Sequence, residues 1–322
     1  MLDRRRAILT LGFGLVGASA LASTRPAPSY DNPDDLYAAL RDQPGEQIVI
    51  AGGTINLVFA DGAAGLDRRL VRSWLAHGTD AIGRYFGRFP VARYGLLVIA
   101  EPGDRVGHAT TFGYGGSVSR IHVGTRADEA AFARDWVLVH EMLHASLPDL
   151  PRRALWLQEG NATWLEPVMR ARAGYLSEAE VWRQAIIGMP RGRPGEADGG
   201  MDGTRDHDRL YWGGATFWLL ADIAIVEATH GKRSLRDAMR AINWQSGGNG
   251  TDWSPEQMMI EGDRATGSDA LSNLYRRFAS ERIDTNLDAL FARLGVALRD
   301  GVVRFDERAP LAAFRRKMTQ SD

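Results

Sequence analysis

The chain contains no cysteine in its 322 residues. This absence excludes disulfide bonds, thiol catalysis, iron–sulfur clusters and cysteine-ligated zinc. Any bound metal must therefore be held by histidine, aspartate or glutamate. Lysine is scarce as well, because Lys232 and Lys317 are the only lysines among 39 basic residues. We interpret that scarcity as a compositional bias that indicates no particular function.

The chain also lacks an excess of charge of either sign. Its 39 Lys+Arg and 40 Asp+Glu give a formal net charge of −1, which offers no electrostatic reason to expect nucleic acid as a partner. Hydrophobic residues make up 44% and charged residues 25%, as in ordinary globular proteins and unlike disordered or fibrous chains. The length allows one large or two small domains.

The first 22 residues predict an export signal. Arg4–Arg6 precede an apolar stretch, residues 7–21, that is rich in glycine and alanine and ends in small residues suited to cleavage. The Arg5-Arg6 pair also fits a twin-arginine signal. The alternatives are a basic N-terminus followed by a first helix, and an uncleaved anchor, although the stretch is short and glycine-broken for a membrane span. We therefore predict an exported, periplasmic protein with no stable membrane span after cleavage.

Residues 23–127 predict a small β-rich lobe. The expected strands are Gln47–Ile50, Ile55–Phe59, Tyr94–Ala100 and a glycine-broken pair within Thr110–Val123. A Gly52-Gly53 turn would join the first two strands. Helical spacing of apolar residues predicts a long helix over Leu66–Phe86, and a short helix is expected near Asp34–Arg41.

From residue 128 onward the apolar spacing becomes that of helices, which predicts a helical lobe over residues 128–295. The expected helices are Asp128–Leu147, Arg153–Ala171, Ser177–Ile187, Arg209–His230, Leu235–Ile242, Asp269–Ser280 and Leu287–Leu294. The linker Met189–Asp208 is long enough to form the lip of a cleft. Residues 296–322 predict a C-terminal extension with a hairpin or a helix. A β-rich lobe followed by a helical lobe is an α+β fold.

Residues 140–144 read His-Glu-Met-Leu-His, which is the HExxH pattern. Positions i and i+4 share one face of a helix, so His140 and His144 can bind a single ion. Glu141 lies about 100° around the helix, yet its side chain can reach a water on that ion. Both imidazoles fall on an apolar stripe, where each unsatisfied polar group costs roughly 1–3 kcal/mol unless a metal is bound. The alternative is a structural histidine pair on a buried helix.

A catalytic zinc site needs a third protein ligand and an open position for water. Pro148 and Pro151 favour a turn after the HExxH helix, and Glu159 lies one to two turns into the helix that follows. Its apolar neighbours argue against the alternative of a solvent-facing carboxylate. We therefore predict one Zn²⁺ per chain, held by His140, His144 and Glu159.

The HExxH pattern followed by Trp-x-x-Glu-Gly at residues 156–160 resembles the gluzincin metallopeptidases. It is similar in particular to the glycyl aminopeptidase family and more distantly to the aminopeptidase N family. A Tyr-x-x-Gly stretch at residues 211–214 and a Ser-Leu-x-Asp-x-Met stretch at residues 234–239 agree with this resemblance. The resemblance implies a thermolysin-like catalytic domain in which Tyr211 donates a hydrogen bond to the oxyanion. A core tyrosine in an aromatic helix is the alternative role.

One departure from these families concerns how the end of the substrate is recognised. The families carry a Gly-Gly-Leu-Glu-type segment whose glutamate binds the α-amino group of the substrate. The corresponding residues here are Gly115-Gly116-Ser117-Val118, with Val118 at the carboxylate position. Strict aminopeptidase specificity is therefore not expected, although the strand around Gly113–Ser119 is expected to pair with an extended peptide.

Together these residues predict a zinc-dependent metallopeptidase that acts on a peptide or protein substrate. Glu141 would accept a proton from a metal-activated water and pass it to the leaving amine. The two alternatives are a catalytically inactive peptidase-fold protein that binds peptides, and a zinc hydrolase that acts on cell-wall peptides. His207, Asp149 and Asn161 are further polar candidates, for which loop or capping roles are the ordinary explanation. The sequence does not specify the substrate or the oligomeric state.

Overall fold

The computed structural model describes residues 30–321, so the predicted export signal at residues 1–22 lies outside the described residues. The main sheet contains β1 (Gly45–Ile50), β2 (Gly53–Phe59), β3 (Arg93–Glu101), β4 (Val106–Phe112) and β5 (Val118–Gly124). Their order is β1-β2-β3-β5-β4. The strands β2, β3 and β5 run parallel, whereas β1 and β4 are antiparallel to their neighbours at the two edges. The strands expected from the sequence are confirmed.

Two helices cover opposite faces of this sheet. The helix α1 (Pro33–Asp42) packs on one face, where Leu36 and Leu40 join the buried cluster that contains Leu97 and Val118. The helix α2 (Arg68–Phe86) connects β2 to the parallel strand β3 across the other face. We refer to these as the α1 face and the α2 face. Side chains alternate along a strand, so every strand contributes to both faces.

The helical part of the chain follows the sheet. Its helices are α3 (Glu129–Arg134), α4 (Val137–His144), α5 (Leu155–Arg172), α6 (Glu178–Gly188), α7 (Gly214–Ala228), α8 (Leu235–Ser246), α9 (Pro255–Thr266), α10 (Ala270–Ser280) and α11 (Leu287–Leu294). The central helix α5 packs against α2, α4, α6 and α7. One cluster of buried apolar residues joins this part to the α2 face of the sheet. The observed fold is α+β, and the proposed boundaries between lobes stay a prediction.

The single helix expected over Asp128–Leu147 is wrong, because the chain leaves the helical conformation at Asp135. The Asp135 carboxylate accepts hydrogen bonds from the backbone N–H groups of Val137 and Leu138 at 3.0 and 3.1 Å. It also accepts one from the indole of Trp74 on α2, at 2.8 Å. A short acidic side chain that satisfies the first N–H groups starts a new helix. The HExxH residues therefore occupy a separate short helix, α4, whose N-terminus is fixed to α2.

The sequence left open whether the C-terminal segment forms a hairpin or a helix, and the structure contains both. The strands β6 (Val296–Arg299) and β7 (Val302–Phe305) form a hairpin, and α12 (Ala312–Thr319) packs against α5 and α11. Arg315 on α12 is fully buried and forms ion pairs with Glu178 at 2.9 Å and Glu307 at 2.5 Å. Among residues 30–321, no helix is long and apolar enough to cross a membrane.

Candidate metal centre and active site

The two HExxH histidines lie on α4, which packs on the α2 face beside the edge strand β4. His140 is buried, and the side chain of His144 is 16% exposed. Their ring centroids are 5.0 Å apart, as expected for positions i and i+4 on one helix face. The predicted pairing of these two imidazoles is therefore present in the fold.

Glu159 reaches the same point from α5. A 3₁₀ turn at Arg152–Ala154 leads into this helix. The Oε2 atom of Glu159 lies 3.3 Å from Nε2 of His140 and 3.6 Å from Nε2 of His144. The structure thus brings together the three side chains that are predicted from the sequence to be metal ligands.

The close approach of α5 to the start of α7 depends on a pair of glycines. A Cβ atom added to Gly160 would lie 2.3 Å from the carbonyl carbon of Gly214, far inside any normal contact. Glu159 therefore sits where two backbones nearly touch. The glycine after the glutamate, which formed part of the family resemblance, has this packing role.

Charge stabilises the ionised form of Glu159. Burial by itself raises the pKa of this carboxyl group, but a hydrogen bond from His140 and the nearby charges of His144 and His140 outweigh burial. The result is a pKa of about 2. Burial is the main cause that lowers the pKa of His144. Metal binding requires an ionised carboxylate and neutral imidazoles, so a bound cation would take over the role of the histidine charges beside Glu159.

Glu141 is the second carboxylate near the histidines, and its ligand atom lies within 4.8 Å of those of His140 and His144. Its Oε2 atom accepts a hydrogen bond from the hydroxyl of Thr111 at 2.7 Å. Burial raises the pKa of Glu141, and the nearby His144 and the Thr111 hydrogen bond partly oppose that rise. Both carboxylates therefore lie close to the histidines, and the hydrogen bond from Thr111 ties Glu141 to the edge strand.

Thr111 is a site residue that the sequence analysis missed. It lies on β4, and its hydroxyl also contacts the hydroxyl of Ser119 at 2.5 Å. Ser119 in turn contacts the hydroxyl of the buried Tyr94. The alternation of residues along Thr110–Val123 could have placed Thr111 on one face of a strand, but no motif marks its partner.

Tyr211 lies in a π-helical turn, Arg209–Gly213, at the N-terminus of α7. Its ring stacks on His140 with centroids 5.8 Å apart and planes 6° apart, and on His207 at 4.3 Å and 15°. Burial raises the pKa of its hydroxyl, and the charge of Glu159 and a hydrogen bond to it raise the pKa further. Tyr211 therefore remains protonated near neutral pH and can act as a hydrogen-bond donor.

Two cavities meet at this cluster. One, of about 450 Å³, runs along β4 and is lined by residues 109–114 together with Glu141, His144, Glu159 and Tyr211. The other, of about 950 Å³, is lined by His140, Tyr211, Trp136, Trp212 and Ile187, among others. The linker after α6, predicted as a cleft lip, contributes Arg191 and His207 to the larger cavity. Tyr211 borders both spaces.

The strand edge open to a ligand differs from the one expected. Val118 and Ser119 belong to β5, which is paired on both sides, by β3 and β4. Val118 is also buried in the cluster on the α1 face. Of the two edge strands, β1 and β4, it is β4 that lines the smaller cavity. Peptide pairing at Val118 and Ser119 is therefore ruled out.

The other polar candidates take different positions. Asp149 lines the smaller cavity. His207 is exposed and stacks on Tyr211. Asn161 is buried, and its amide contacts the sulfur of Met239 at 3.3 Å, so it serves packing on the far side of α5.

The residues present fit a zinc ion. Two imidazole nitrogens converge on one carboxylate oxygen, a donor set that zinc accepts in catalytic sites. The other ring nitrogen of His140, Nδ1, is buried and has no partner among residues 30–321. Glu141 also lies within ligand distance of the two histidines, and its Oε2 atom is already hydrogen-bonded by Thr111.

Three solved structures with a similar fold are described as an aminopeptidase N family protein and two M1 zinc metallopeptidases. An aminopeptidase N family protein from Idiomarina loihiensis has a TM-score of 0.59 and 14% identity, over 80% of this chain and 50% of that one. A two-domain M1 zinc metallopeptidase bound to L-arginine has a TM-score of 0.52 and 16% identity, and the match covers 76% of this chain and 53% of that chain. An M1 zinc metallopeptidase from Deinococcus radiodurans has a TM-score of 0.51 and 18% identity, and the match covers 76% of this chain and 52% of that chain.

The chain spans about half the length of these neighbours. No protein-family profile matches it, and no curated protein matches it in sequence. The finer resemblance to the glycyl aminopeptidase family stays a prediction. At these identities the likeness concerns the fold alone, and the described chain shares a mixed α+β fold with the matched half of these structures.

Proposed function

We propose that the protein is a zinc-dependent metallopeptidase. The observation that carries this proposal is the convergence of His140, His144 and Glu159, with Oε2 of the carboxylate 3.3 and 3.6 Å from the two Nε2 atoms. Glu141 lies beside this group on the side of the edge strand. The metallopeptidase fold of the structural neighbours supports the same function.

In this proposal one Zn²⁺ is held by His140, His144 and Glu159. A zinc ion in such a site supplies Lewis acidity, which lowers the pKa of a water molecule towards about 7 and polarises a carbonyl group. The low pKa of Glu159 and the lowered pKa of His144 keep both side chains free of protons near neutral pH.

Glu141 and Tyr211 then have separate roles. Glu141 accepts a proton from the attacking water and delivers it to the leaving amine. Burial raises the pKa of the Glu141 carboxyl group, which favours this proton transfer. Tyr211 keeps its proton and donates a hydrogen bond to the oxygen on which negative charge develops.

The proposed substrate is an extended peptide lying along β4. The free edge of this strand offers backbone groups for pairing with an extended chain. Cavity space continues on both sides of Tyr211, so the peptide has room in both directions. Val118 supplies no carboxylate for an α-amino group. We therefore propose cleavage of peptides whose N-termini are blocked as well as free.

The test is a Glu141→Gln variant assayed with a panel of peptides that carry free or blocked N-termini. We expect the variant to keep about one zinc per chain at this centre and to lose hydrolysis by about 100-fold or more. The matched control is Glu129→Gln, which changes an exposed glutamate on α3 and should keep full activity.

Two outcomes would support the alternatives instead. A wild-type protein that binds zinc and peptide but cleaves nothing in the panel is an inactive binding protein. A protein that cleaves cell-wall peptides but none of the ordinary peptides is a wall hydrolase. A loss of zinc in Glu141→Gln would assign that residue to the ligand set and contradict the proposed roles.

We also propose that the protein is exported to the periplasm. The basis is the sequence of residues 1–22, with Arg5 and Arg6 before an apolar stretch. Cell fractionation of the full chain against an Arg5→Lys, Arg6→Lys variant tests this. Retention of the wild-type protein in the cytoplasm would contradict the proposal, and export of both proteins would exclude the twin-arginine route.

A further inference from the structure

A second group of potential metal ligands lies on the α1 face of the sheet, opposite α4. Glu101 at the end of β3, His108 on β4 and His122 on β5 each offer one ligand atom, and these atoms lie within 4.8 Å of one another. Nδ1 of His122 is 3.0 Å from Oε2 of Glu101. The rings of His108 and His122 stack with centroids 3.9 Å apart and planes 23° apart.

A β-bulge brings these residues together. Between the pairs Val106–Val123 and Ala109–Ile121, β4 has two residues, Gly107 and His108, where β5 has only His122. A bulge of this kind redirects a side chain and is often found near functional sites. Here it sets the imidazole of His108 over that of His122.

Gly107, the other residue of the bulge, makes room for the carboxylate. A Cβ atom at this position would lie 2.4 Å from Oε1 of Glu101 and 3.2 Å from Cβ of His122. Any larger residue would displace Glu101 from His122. The three side chains thus occupy a space that the local sequence keeps open.

The half-buried imidazole of His122 has one ring nitrogen that forms no hydrogen bond among residues 30–321. Its side chain is 14% exposed, and its Nε2 atom is buried without a hydrogen-bond partner in the part of the chain that the structure describes. A buried polar atom without a partner costs about 1–3 kcal/mol. Nδ1 is the nitrogen beside Glu101, so a metal held together with Glu101 would bind Nδ1, and a fixed water would satisfy Nε2. His108 is exposed and leaves a path from solvent to the cluster.

We propose that Glu101, His108 and His122 form a second site for a divalent transition metal, with Zn²⁺ as the expected ion. Two imidazoles and a carboxylate are ligands that zinc, copper and nickel accept, whereas magnesium and calcium prefer all-oxygen sets. Ligands bound to zinc at about 2.0–2.2 Å in a tetrahedron lie roughly 3.3–3.6 Å apart. The stacked rings of His108 and His122 would therefore turn relative to each other so that one nitrogen of each can bind the ion. The nearby positive charge of Arg120 is paired with Asp31.

A metal at this site would cross-link the strands β3, β4 and β5. It would link the start of β4 to β5 and β3, on the face of the sheet that does not carry the HExxH helix. Thr111, which holds Glu141, lies three residues further along β4, or about 10 Å. The second metal is therefore expected to stabilise the edge strand without touching the catalytic cluster.

The experiment is a calorimetric titration of metal-free full-length protein with Zn²⁺, on wild type and three variants. Wild type should bind two equivalents. His108→Ala should lose one of them, with affinity weakened by more than about 100-fold, since even an outer partner of a ligand is worth 10–100-fold. His144→Ala should lose the other equivalent. His77→Ala, at an exposed histidine on α2, is the control and should bind two.

Thermal unfolding gives a readout independent of activity. Added Zn²⁺ should raise the melting temperature of His144→Ala, and this rise should be absent from His108→Ala/His144→Ala. Gly107→Ala keeps all three ligands but crowds Glu101, and it should weaken the same binding event.

The two proposals fail in different ways. If wild type binds one equivalent that His144→Ala abolishes and His108→Ala preserves, the second site is overturned. If it binds one equivalent that His108→Ala abolishes and His144→Ala preserves, the catalytic zinc is overturned instead. Wild type that binds none overturns both.

Discussion

Gly160 on α5 and Gly214 on α7 are in backbone contact, because a Cβ on Gly160 would lie 2.3 Å from the carbonyl carbon of Gly214. We expect Gly160→Ala to lower the free energy of unfolding by about 1–3 kcal/mol, as overpacking in a close contact does. It should also shift Glu159 and reduce zinc affinity. Denaturant unfolding and zinc titration check both effects.

The matched control for this substitution is Gly83→Ala on α2. Outside the local backbone of α2, no atom of residues 30–321 lies within 4 Å of a Cβ at Gly83, so this change should raise stability by about 0.5–1 kcal/mol. Equal effects of the two substitutions would show that the contact with Gly214 does not matter.

The Thr111 hydroxyl favours the ionised form of Glu141, and removing it should raise the pKa of that carboxyl group further. A general base works only when deprotonated, so its activity is lost as the pH falls through its pKa. Thr111→Val should therefore move the acid limb of the kcat/KM profile to higher pH and reduce activity up to roughly 10-fold at neutral pH.

Thr111→Ser supplies the control for that experiment, since it keeps the hydroxyl group and should restore the wild-type profile. An acid limb that stays in place in Thr111→Val would mean that the strand does not tune Glu141.

Tyr211→Phe should lower kcat by about 100-fold or more if the hydroxyl group stabilises the developing oxyanion. The stacking on His140 should survive, because the ring remains. Zinc content and peptide affinity should thus stay near the wild-type values. A fall in zinc content with kcat unchanged per bound zinc would place Tyr211 in a supporting role towards Glu159.

The free energy of unfolding should depend on pH because of the buried side chain of Asp222. Burial raises the pKa of its carboxyl group to about 6, although it accepts a hydrogen bond from the backbone N–H of Leu235. Because the folded pKa lies above the unfolded value of 3.8, the protonated form is favoured in the fold. The free energy of unfolding should then fall as the pH rises from about 4 through 6, by up to about 3 kcal/mol.

Asp222→Asn keeps a carbonyl oxygen for Leu235 and cannot ionise, so its stability should lack this decline. Chemical denaturation at pH 4, 6 and 8 compares the two proteins, with exposed Asp269→Asn as the control. If the free energy of unfolding changes with pH by the same amount in wild type and Asp222→Asn, the expected effect of burial is contradicted.

Local patterns predicted most of the elements and three of the site contacts. The HExxH spacing needs only one helix turn, so His140 and His144 are adjacent in any helix that contains them. Glu159 required one more assumption, that the chain reverses at Pro148–Pro151, and the structure agrees with it.

Predictions failed where a distant partner decides the outcome. Asp135 ends one helix and starts another because its carboxylate caps α4 and binds Trp74, a residue 61 positions away. The helix α9 was missed, although Ser254 and Pro255 are a recognisable helix start. Thr111 and the bulge at Gly107 follow from strand pairing, which no local pattern specifies.

Because β4 contains a bulge, the number of its residues decides which face of the sheet each of its side chains occupies. Side chains alternate between faces, and a shift of one residue moves every side chain to the opposite face. Deleting one residue between His108 and Thr111 would turn the Thr111 hydroxyl away from Glu141 or carry His108 away from His122. Insertions or deletions in β4 should therefore be more damaging than single substitutions, because they would disturb both faces of the sheet in a single step.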